Sequence, residues 1–226
     1  LSYNGQRCTA IKVIFVHKSV AQDFVTKFSE AVDQLKLDHP ATNSVLTPLP
    51  ERDKVIAMEA YVDDAVSKGA KVINEYAGRV NDTSFFPAVL YPVSDEMRIF
   101  HEEQFGPVVP VVEYDDLEEV MKCIANSDYG QQCSLFSQGE ATIASAVDNM
   151  VNQVCRVNIN ASCQRGPDYL PFTGRKDSAV GTLSVHDALR SFSIRTVVAT
   201  DTGQRELVGK VVSGGKSNFM TTDYLL

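Results

Sequence analysis

The chain has 226 residues, 44% of them hydrophobic and 22% charged, which is enough for one large domain or two small ones with a sizeable core. Its 29 acidic and 21 basic side chains give a net charge of −8, which argues against a nucleic-acid-binding surface or an anionic-membrane surface. No apolar run reaches the length of a membrane span. We therefore predict that neither nucleic acid nor membrane is a partner.

The cysteines indicate a reduced compartment. They are odd in number, widely spaced and free of any C-x-x-C pair, which disfavours a disulfide framework or a zinc knuckle. The five are Cys8, Cys123, Cys133, Cys155 and Cys163. This cysteine usage predicts a cytoplasmic protein. The four histidines show no metal-ligand spacing, so we predict no metal site.

Strand-like and helix-like patterns alternate along the first 159 residues. Residues 10–16 form a β-branched run, and Ser19 with Gln22 resembles a capping box at the start of an amphipathic helix. A second helix is predicted over residues 51–68 with Gly69 as its stop, a third behind Asp115 and Asp116, and a fourth over residues 140–150. Further strands are predicted at residues 71–74, 86–91, 107–114, 132–136 and 154–159.

This alternation predicts an α/β fold with a largely parallel sheet. Pro107 and Pro110 place the strand over residues 107–114 at an edge or irregular position. Residues 160–181 are predicted to be a long functional loop. Three further predictions complete the chain: a short helix over residues 185–191, a strand over residues 194–200, and a mobile tail or peripheral hairpin over residues 201–226.

Cys8 is the first candidate for chemistry. A thiol attacks as its thiolate, and a neighbouring guanidinium such as that of Arg7 favours that form. Gly5 permits close approach of a ligand to the backbone, and the Cys8 amide can face an oxyanion. Taken alone, Cys8 and Arg7 favour a small buried structural cysteine over a nucleophile, and a Cys–His hydrolase pairing also stays open.

Three segments that follow one another along the chain favour a catalytic role for Cys8. Residues 5–10 (GQRCTA) resemble the nucleophile segment of the aldehyde dehydrogenase superfamily, and residues 101–108 (HEEQFGPV) resemble its E-E-x-F-G-P signature. A third match is residues 158–168 (NINASCQRGPD) with residues 171–174 (PFTG). The resemblance implies an open, largely parallel twisted sheet flanked by helices, with residues 194–200 as an oligomerisation-type strand.

The residues of these segments resemble those of the non-phosphorylating glyceraldehyde-3-phosphate dehydrogenase branch of the superfamily. The resemblance implies that Cys8 attacks the aldehyde and that Arg7 and Arg165 bind the substrate phosphate, for which a planar guanidinium fork is well suited. It also implies that Glu103 binds the nicotinamide-side ribose and that Phe105 packs against the nicotinamide. The implied cofactor is NADP, with NAD as the alternative.

The resemblance covers only the catalytic half of the family. The cofactor-binding domain and the E-L-G-G glutamate lie upstream of the family cysteine, so we expect a C-terminal catalytic fragment that is inactive alone. Residues 1–192 would be the catalytic domain, 193–200 the oligomerisation strand and 201–226 a tail. The full-length parent would be a homodimer or homotetramer acting on a small phosphorylated aldehyde. The alternatives are an enzyme for another acidic aldehyde and a non-catalytic oligomerisation module.

Three positions depart from the family pattern. Gln104 occupies a position where the branch often has proline and which we interpret as a tolerated variable site. Cys155 and Ala179 each replace a usual glycine, which puts the local backbone geometry in question.

Overall fold

The computed structural model describes residues 1–194 and 196–217, which divide into two compact units, Leu1–Val185 and a second beginning at His186. The described helices are α1 (Ala21–Asp33), α2 (Arg52–Ser67), α3 (Arg98–His101), α4 (Leu117–Asn126), α5 (Glu140–Met150), α6 (Val185–Ser191) and α7 (Arg205–Ser213). The described strands are β1 (Ile14–His17), β2 (Lys71–Val72), β3 (Gly78–Arg79), β4 (Phe85–Phe86), β5 (Ala88–Tyr91), β6 (Val108–Tyr114), β7 (Tyr129–Gly130), β8 (Gln132–Leu135), β9 (Arg156–Ile159), β10 (Phe172–Thr173), β11 (Arg175–Lys176) and β12 (Thr182–Leu183). Within this described part, no helix combines the length and the apolar character that crossing a membrane requires.

The main sheet of the first unit has the strand order β1-β6-β5-β2. Both neighbours of β6 run parallel to it, β2 is antiparallel to β5, and β8 and β9 form a separate parallel pair. Successive strand residues point to opposite faces, so Leu90 packs in the cluster that contains α2, and Val89 in the cluster that contains α1. This arrangement confirms the predicted largely parallel sheet flanked by helices.

The predicted edge position of the strand over residues 107–114 is wrong. The corresponding strand, β6, lies between β1 and β5, and Pro110 is fully buried. The register explains how the sheet interior accepts this proline: β5 pairs with Val108 through Pro110, whereas β1 pairs from Val111 onwards. Pro110 therefore lies where the pairing changes from one neighbour to the other, and its missing N–H interrupts neither ladder.

The helix predictions are mostly confirmed, with one error at a start. Helix α2 lies within one residue of its predicted bounds at each end, and Asp116 caps α4 by accepting a hydrogen bond from the Glu118 amide at 3.0 Å. The predicted capping box of α1 is wrong, because Val20 is the N-cap residue. The Ser19 side chain instead lies 2.7 Å from Nδ1 of His17, a local pairing that removes it from the helix end.

The second unit contains a helix that we did not predict. Residues 205–213 form α7 where a mobile tail or hairpin was predicted, and residues 218–226 of that prediction lie outside the described residues. A turn precedes the helix, in which Asp201 accepts a hydrogen bond from the Gln204 amide at 3.1 Å, and an ion pair of 2.7 Å joins Glu206 to Lys210 one helical turn later. The described residues between 193 and 200 pair with no strand of this single chain, so an intersubunit strand there stays a prediction.

Candidate active site

Two loops meet at the amino-terminal ends of β1 and β6. Cys8 lies in the loop before β1, and Phe105 lies in the loop before β6. Because these strands are parallel neighbours, the segments that precede them leave the same edge of the sheet. The loops touch at two glycines: a Cβ placed on Gly5 would lie 2.5 Å from the carbonyl oxygen of Gly106. The structure therefore brings Cys8 to the same edge as Glu103 and Phe105, two of its predicted partners.

The Cys8 loop begins with a left-handed turn. Tyr3, Asn4 and Gly5 have φ values of 57°, 56° and 70°, a conformation that costs a non-glycine residue roughly 1–2 kcal/mol. The buried Asn4 side chain stabilises the turn, because Nδ2 donates to Oγ1 of Thr47 at 3.2 Å and Oδ1 accepts from the Thr47 amide at 3.0 Å. Strained backbone of this kind is often found at functional sites. Sequence reasoning missed Asn4, although an Asn-Gly pair is a known turn signal.

The thiol of Cys8 is exposed. Cys8 is therefore not buried in this chain, and an exposed cysteine can react with a small electrophile. The neighbouring Arg7 is also exposed, and its guanidinium carbon lies 4.9 Å from the centre of the Tyr3 ring. A cation–π contact with a residue of the turn thus helps to place the Arg7 side chain beside the thiol loop.

Gln104 makes buried contacts that its place in the motif did not indicate. Its side chain is 2% exposed, and Nε2 lies 3.1 Å from three carbonyl oxygens, those of Ile11, Lys12 and Val108. One side-chain amide therefore joins the backbone after Cys8 to the first residue of β6. The Gln104 Oε1 atom is buried without a partner among the described residues, which means that this link is kept at a desolvation cost.

The two glutamates of the E-E-Q-F-G-P segment differ in their environments. Glu102 accepts two hydrogen bonds of 2.9 Å from Arg98 and one of 3.1 Å from the Tyr61 hydroxyl. Glu103 is exposed and makes no hydrogen bond to any residue that the structure describes. Glu103 is therefore the carboxylate of the pair that is available to a hydroxyl-bearing ligand.

Two lysines contribute positive charge around Glu103. Burial lowers the pKa of Lys12 to about 8, although the nearby carboxylates of Glu103 and Glu102 oppose this shift. Burial likewise lowers the pKa of Lys54, again against Glu103, and Nζ of Lys54 lies 5.9 Å from the centre of the Phe105 ring. The exposed carboxylate can accept hydrogen bonds from ligand hydroxyl groups, and the 37% exposed ring of Phe105 can stack on a flat ring.

Arg165 lies in a separate loop, after β9. Its guanidinium carbon is 5.4 Å from the centre of the Phe172 ring. Like Arg7, Arg165 is therefore a predicted phosphate ligand whose side chain is placed by a cation–π contact. Within residues 1–194 and 196–217, no hydrogen bond, ion pair or ring contact joins Arg165 to the Cys8 loop. Sequence reasoning also missed Arg156, whose side chain bonds to the backbone of the Arg165 loop.

The aldehyde dehydrogenase family model matches residues 1–198. The chain belongs to the aldehyde dehydrogenase family. It is 36% identical over 198 residues to the NADP-dependent glyceraldehyde-3-phosphate dehydrogenase of Apium graveolens, covering 87% of this chain and 39% of that protein. A crystal structure of the Bacillus halodurans enzyme of the same name, complexed with NADP, superimposes with a TM-score of 0.78 at 34% identity over 83% of this chain and 39% of that one.

A third relative carries a different name. The 3-sulfolactaldehyde dehydrogenase of Priestia aryabhattai is 29% identical over 178 residues, or 78% of this chain and 36% of that protein. In each comparison this aldehyde dehydrogenase chain spans about two fifths of its relative or less, and the family match ends before α7. In the described part of the chain, no three His, Cys, Asp or Glu side chains gather as metal ligands, and the absence of a metal stays a prediction.

Proposed function

We propose that this chain is the nucleophile-bearing part of an NADP-dependent aldehyde dehydrogenase that oxidises glyceraldehyde 3-phosphate to 3-phosphoglycerate. The observation that carries the proposal is the contact between Gly5 and Gly106, which holds an exposed cysteine against a loop with a free carboxylate and an exposed aromatic ring. The name of the Apium graveolens relative, and the name and bound NADP of the Bacillus halodurans structure, support the choice of aldehyde and of NADP.

In the proposed mechanism the Cys8 thiolate attacks the aldehyde carbon, and the carbonyl oxygen takes up a proton to give a hemithioacetal on sulfur. NADP, when bound, supplies the hydride acceptor for the oxidation. Cys8 then holds the acyl group as a thioester until water releases the acid. Glu103 would accept hydrogen bonds from ribose hydroxyls, and Phe105 would offer an aromatic face to the nicotinamide.

Arg7 and Arg165 would bind the substrate phosphate. Both guanidinium groups are exposed, and each lies on an aromatic ring that limits its freedom. A guanidinium that is already ordered loses less side-chain entropy when it binds an anion. Anchoring the phosphate would also position the carbonyl carbon against the Cys8 sulfur.

A different acidic aldehyde is the second candidate substrate. The 3-sulfolactaldehyde dehydrogenase relative acts, by its name, on an aldehyde that carries a sulfonate where glyceraldehyde 3-phosphate carries a phosphate. The same two arginines suit either anion. We also propose a cytoplasmic homo-oligomer, and we expect the 226 residues alone to show no NADP-dependent turnover, because a matching NADP complex spans a much longer chain. Leu189, Phe192, Ile194 and Val197 of the second unit, all highly exposed, support an interface there and favour the oligomerisation module as the non-enzymatic alternative.

The test measures how aldehydes protect Cys8 from alkylation by iodoacetamide in the 226-residue chain. Site-resolved peptide mass spectrometry follows Cys8, with Cys155 as the internal comparison, in the presence of glyceraldehyde 3-phosphate, sulfolactaldehyde or glyceraldehyde. We expect the phosphorylated aldehyde to protect Cys8 at the lowest concentration, and Arg165→Ala to remove that advantage. Equal protection by charged and uncharged aldehydes would exclude a phosphate site. Stronger protection by sulfolactaldehyde would favour the second substrate, and no protection at all would favour the interface module.

A further inference from the structure

The loop that carries Arg165 is bound by two side chains from neighbouring strands. Gln132 of β8 and Arg156 of β9 are directly opposite each other in the parallel register. The Gln132 side chain bonds to both backbone groups of Gln164, since its Nε2 donates to the carbonyl oxygen at 3.0 Å and its Oε1 accepts from the amide at 3.1 Å. The side-chain amide thus pairs with the loop as a neighbouring peptide group would.

Arg156 holds the same loop through three successive carbonyl groups. Its Nη1 lies 2.7 Å from the carbonyl oxygen of Gly166, 3.2 Å from that of Gln164 and 3.4 Å from that of Arg165. Because these oxygens face a guanidinium, their partial negative charge is compensated locally and opposes a bound anion less. One planar cation therefore sets the path of the backbone on both sides of Arg165.

The two binding side chains are themselves fixed by Asn158. This residue is 5% exposed, its Oδ1 accepts from Nε of Arg156 at 2.9 Å, and its Nδ2 donates to Oε1 of Gln132 at 3.2 Å. Nδ2 also donates to the Cys133 carbonyl oxygen at 3.0 Å, which ties the network to β8. Each member thus has its rotamer set by another member, the arrangement that gives a site its precision.

We propose that Arg156 and Gln132 are positioning residues that preorganise Arg165 for binding the phosphate group of a dianionic aldehyde. This inference deepens the proposed function and rests on it. The loop backbone is set by the two strand residues and the Arg165 side chain by the Phe172 ring, so the guanidinium is ordered before any substrate arrives. Neither Arg156 nor Gln132 needs to touch the substrate.

The Arg156→Lys variant tests this role, since lysine keeps the charge and loses the planar fork. In the Cys8 protection assay on the 226-residue chain, we expect Arg156→Lys to weaken protection by glyceraldehyde 3-phosphate roughly tenfold, the scale of one charge-assisted hydrogen bond. Protection by uncharged glyceraldehyde should stay within about twofold of the unmodified chain. Arg175→Lys is the matched control, because Nε of Arg175 also donates to a backbone carbonyl, that of Val154 at 3.2 Å, away from the Arg165 loop.

Arg165→Ala separates the positioning role of Arg156 and Gln132 from the proposed function. If Arg165→Ala loses the phosphate advantage and Arg156→Lys keeps it, the positioning role is wrong and the proposed function stands. If the unmodified chain shows no phosphate advantage, or if Arg165→Ala keeps that advantage, both the positioning role and the proposed function fall together. Equal weakening toward charged and uncharged aldehydes would also overturn the positioning role. Should thermal unfolding show that Arg156→Lys does not fold, Gln132→Leu decides the question by the same criteria.

Discussion

Replacing Gly5 by alanine should disrupt the contact that assembles the candidate site. The new Cβ would lie 2.5 Å from the carbonyl oxygen of Gly106 and 2.9 Å from its carbonyl carbon. Both are backbone atoms, so no side-chain rotation relieves the overlap. Opening the shorter contact to an ordinary 3.4 Å separates the two loops by about 0.9 Å.

The size of the effect follows from two separate costs. Alanine at a φ of +70° loses roughly 1–2 kcal/mol from the left-handed backbone alone, and overpacking adds roughly 1–3 kcal/mol. A misplacement of about 1 Å between reacting groups can lower a rate about 100-fold. We therefore expect Gly5→Ala to weaken protection of Cys8 by glyceraldehyde 3-phosphate more than tenfold.

Gly181→Ala is the matched control. Gly181 has a φ of +81° and no atom within 4 Å of an added Cβ, so it shares the backbone cost without the overlap. We expect Gly181→Ala to lower the melting temperature by roughly 2–8 °C and to leave Cys8 protection unchanged. The reasoning is refuted if Gly5→Ala and Gly181→Ala match each other in both melting temperature and protection.

Three further predictions concern titration, selectivity and the left-handed turn. Burial lowers the pKa of Lys12 from 10.5 to about 8 in the folded chain. Between these two pH values the unfolded chain binds more protons than the folded one. The contribution of Lys12 to the free energy of unfolding therefore rises with pH across that window. Lys12→Met should therefore stabilise the fold most near pH 7, by at most about 3 kcal/mol, and lose this advantage toward about pH 10, as urea unfolding would report. Iodoacetamide at about pH 8 should modify exposed Cys8 before Cys133, because burial, with a smaller effect of Cys163, raises the pKa of Cys133 to about 11; faster labelling of Cys133 in a peptide map would contradict this. Asn4→Ala should cost roughly 1–3 kcal/mol in chemical unfolding, because the half-buried Thr47 amide and hydroxyl lose their bonds to buried Asn4, and an unchanged midpoint would count against the turn.

The elements of the first unit were largely predictable because their signals are local. The bounds of α2 follow from apolar spacing and from Gly69 as its stop, and α5 has the bounds predicted for it, residues 140–150. The place of β6 was not predictable in this way. A proline forbids only the ladder bond that its own N–H would make, and whether that bond is required depends on the partner strands.

In the candidate site, too, residues with a local signal could be predicted, and contacts that depend on other segments could not. Cys8, Glu103 and Phe105 could be proposed from the sequence because their segments are contiguous and resemble family motifs. The contacts of Gln104 were not predicted, because two of its three carbonyl partners, those of Ile11 and Lys12, lie in another segment and no pattern in residues 101–108 indicates them. Helix α7 was not predicted because residues 201–226 contain four glycines and weak apolar content, and no helical period was recognised there.

The placement of Arg165 depends on strand register more than on any motif. Gln132 and Arg156 act together only because they are opposite each other, and side chains alternate between the two faces of a strand. A slip of one residue between β8 and β9 would turn Arg156 to the other face and leave three loop carbonyls without their cation. Asn158 opposes this slip, because its amide bonds to β8 in only one register. The buried Asn158 amide therefore links the pairing of two strands to the position of an arginine that would bind substrate, and a variant that weakens that pairing should reduce phosphate recognition before it unfolds the chain.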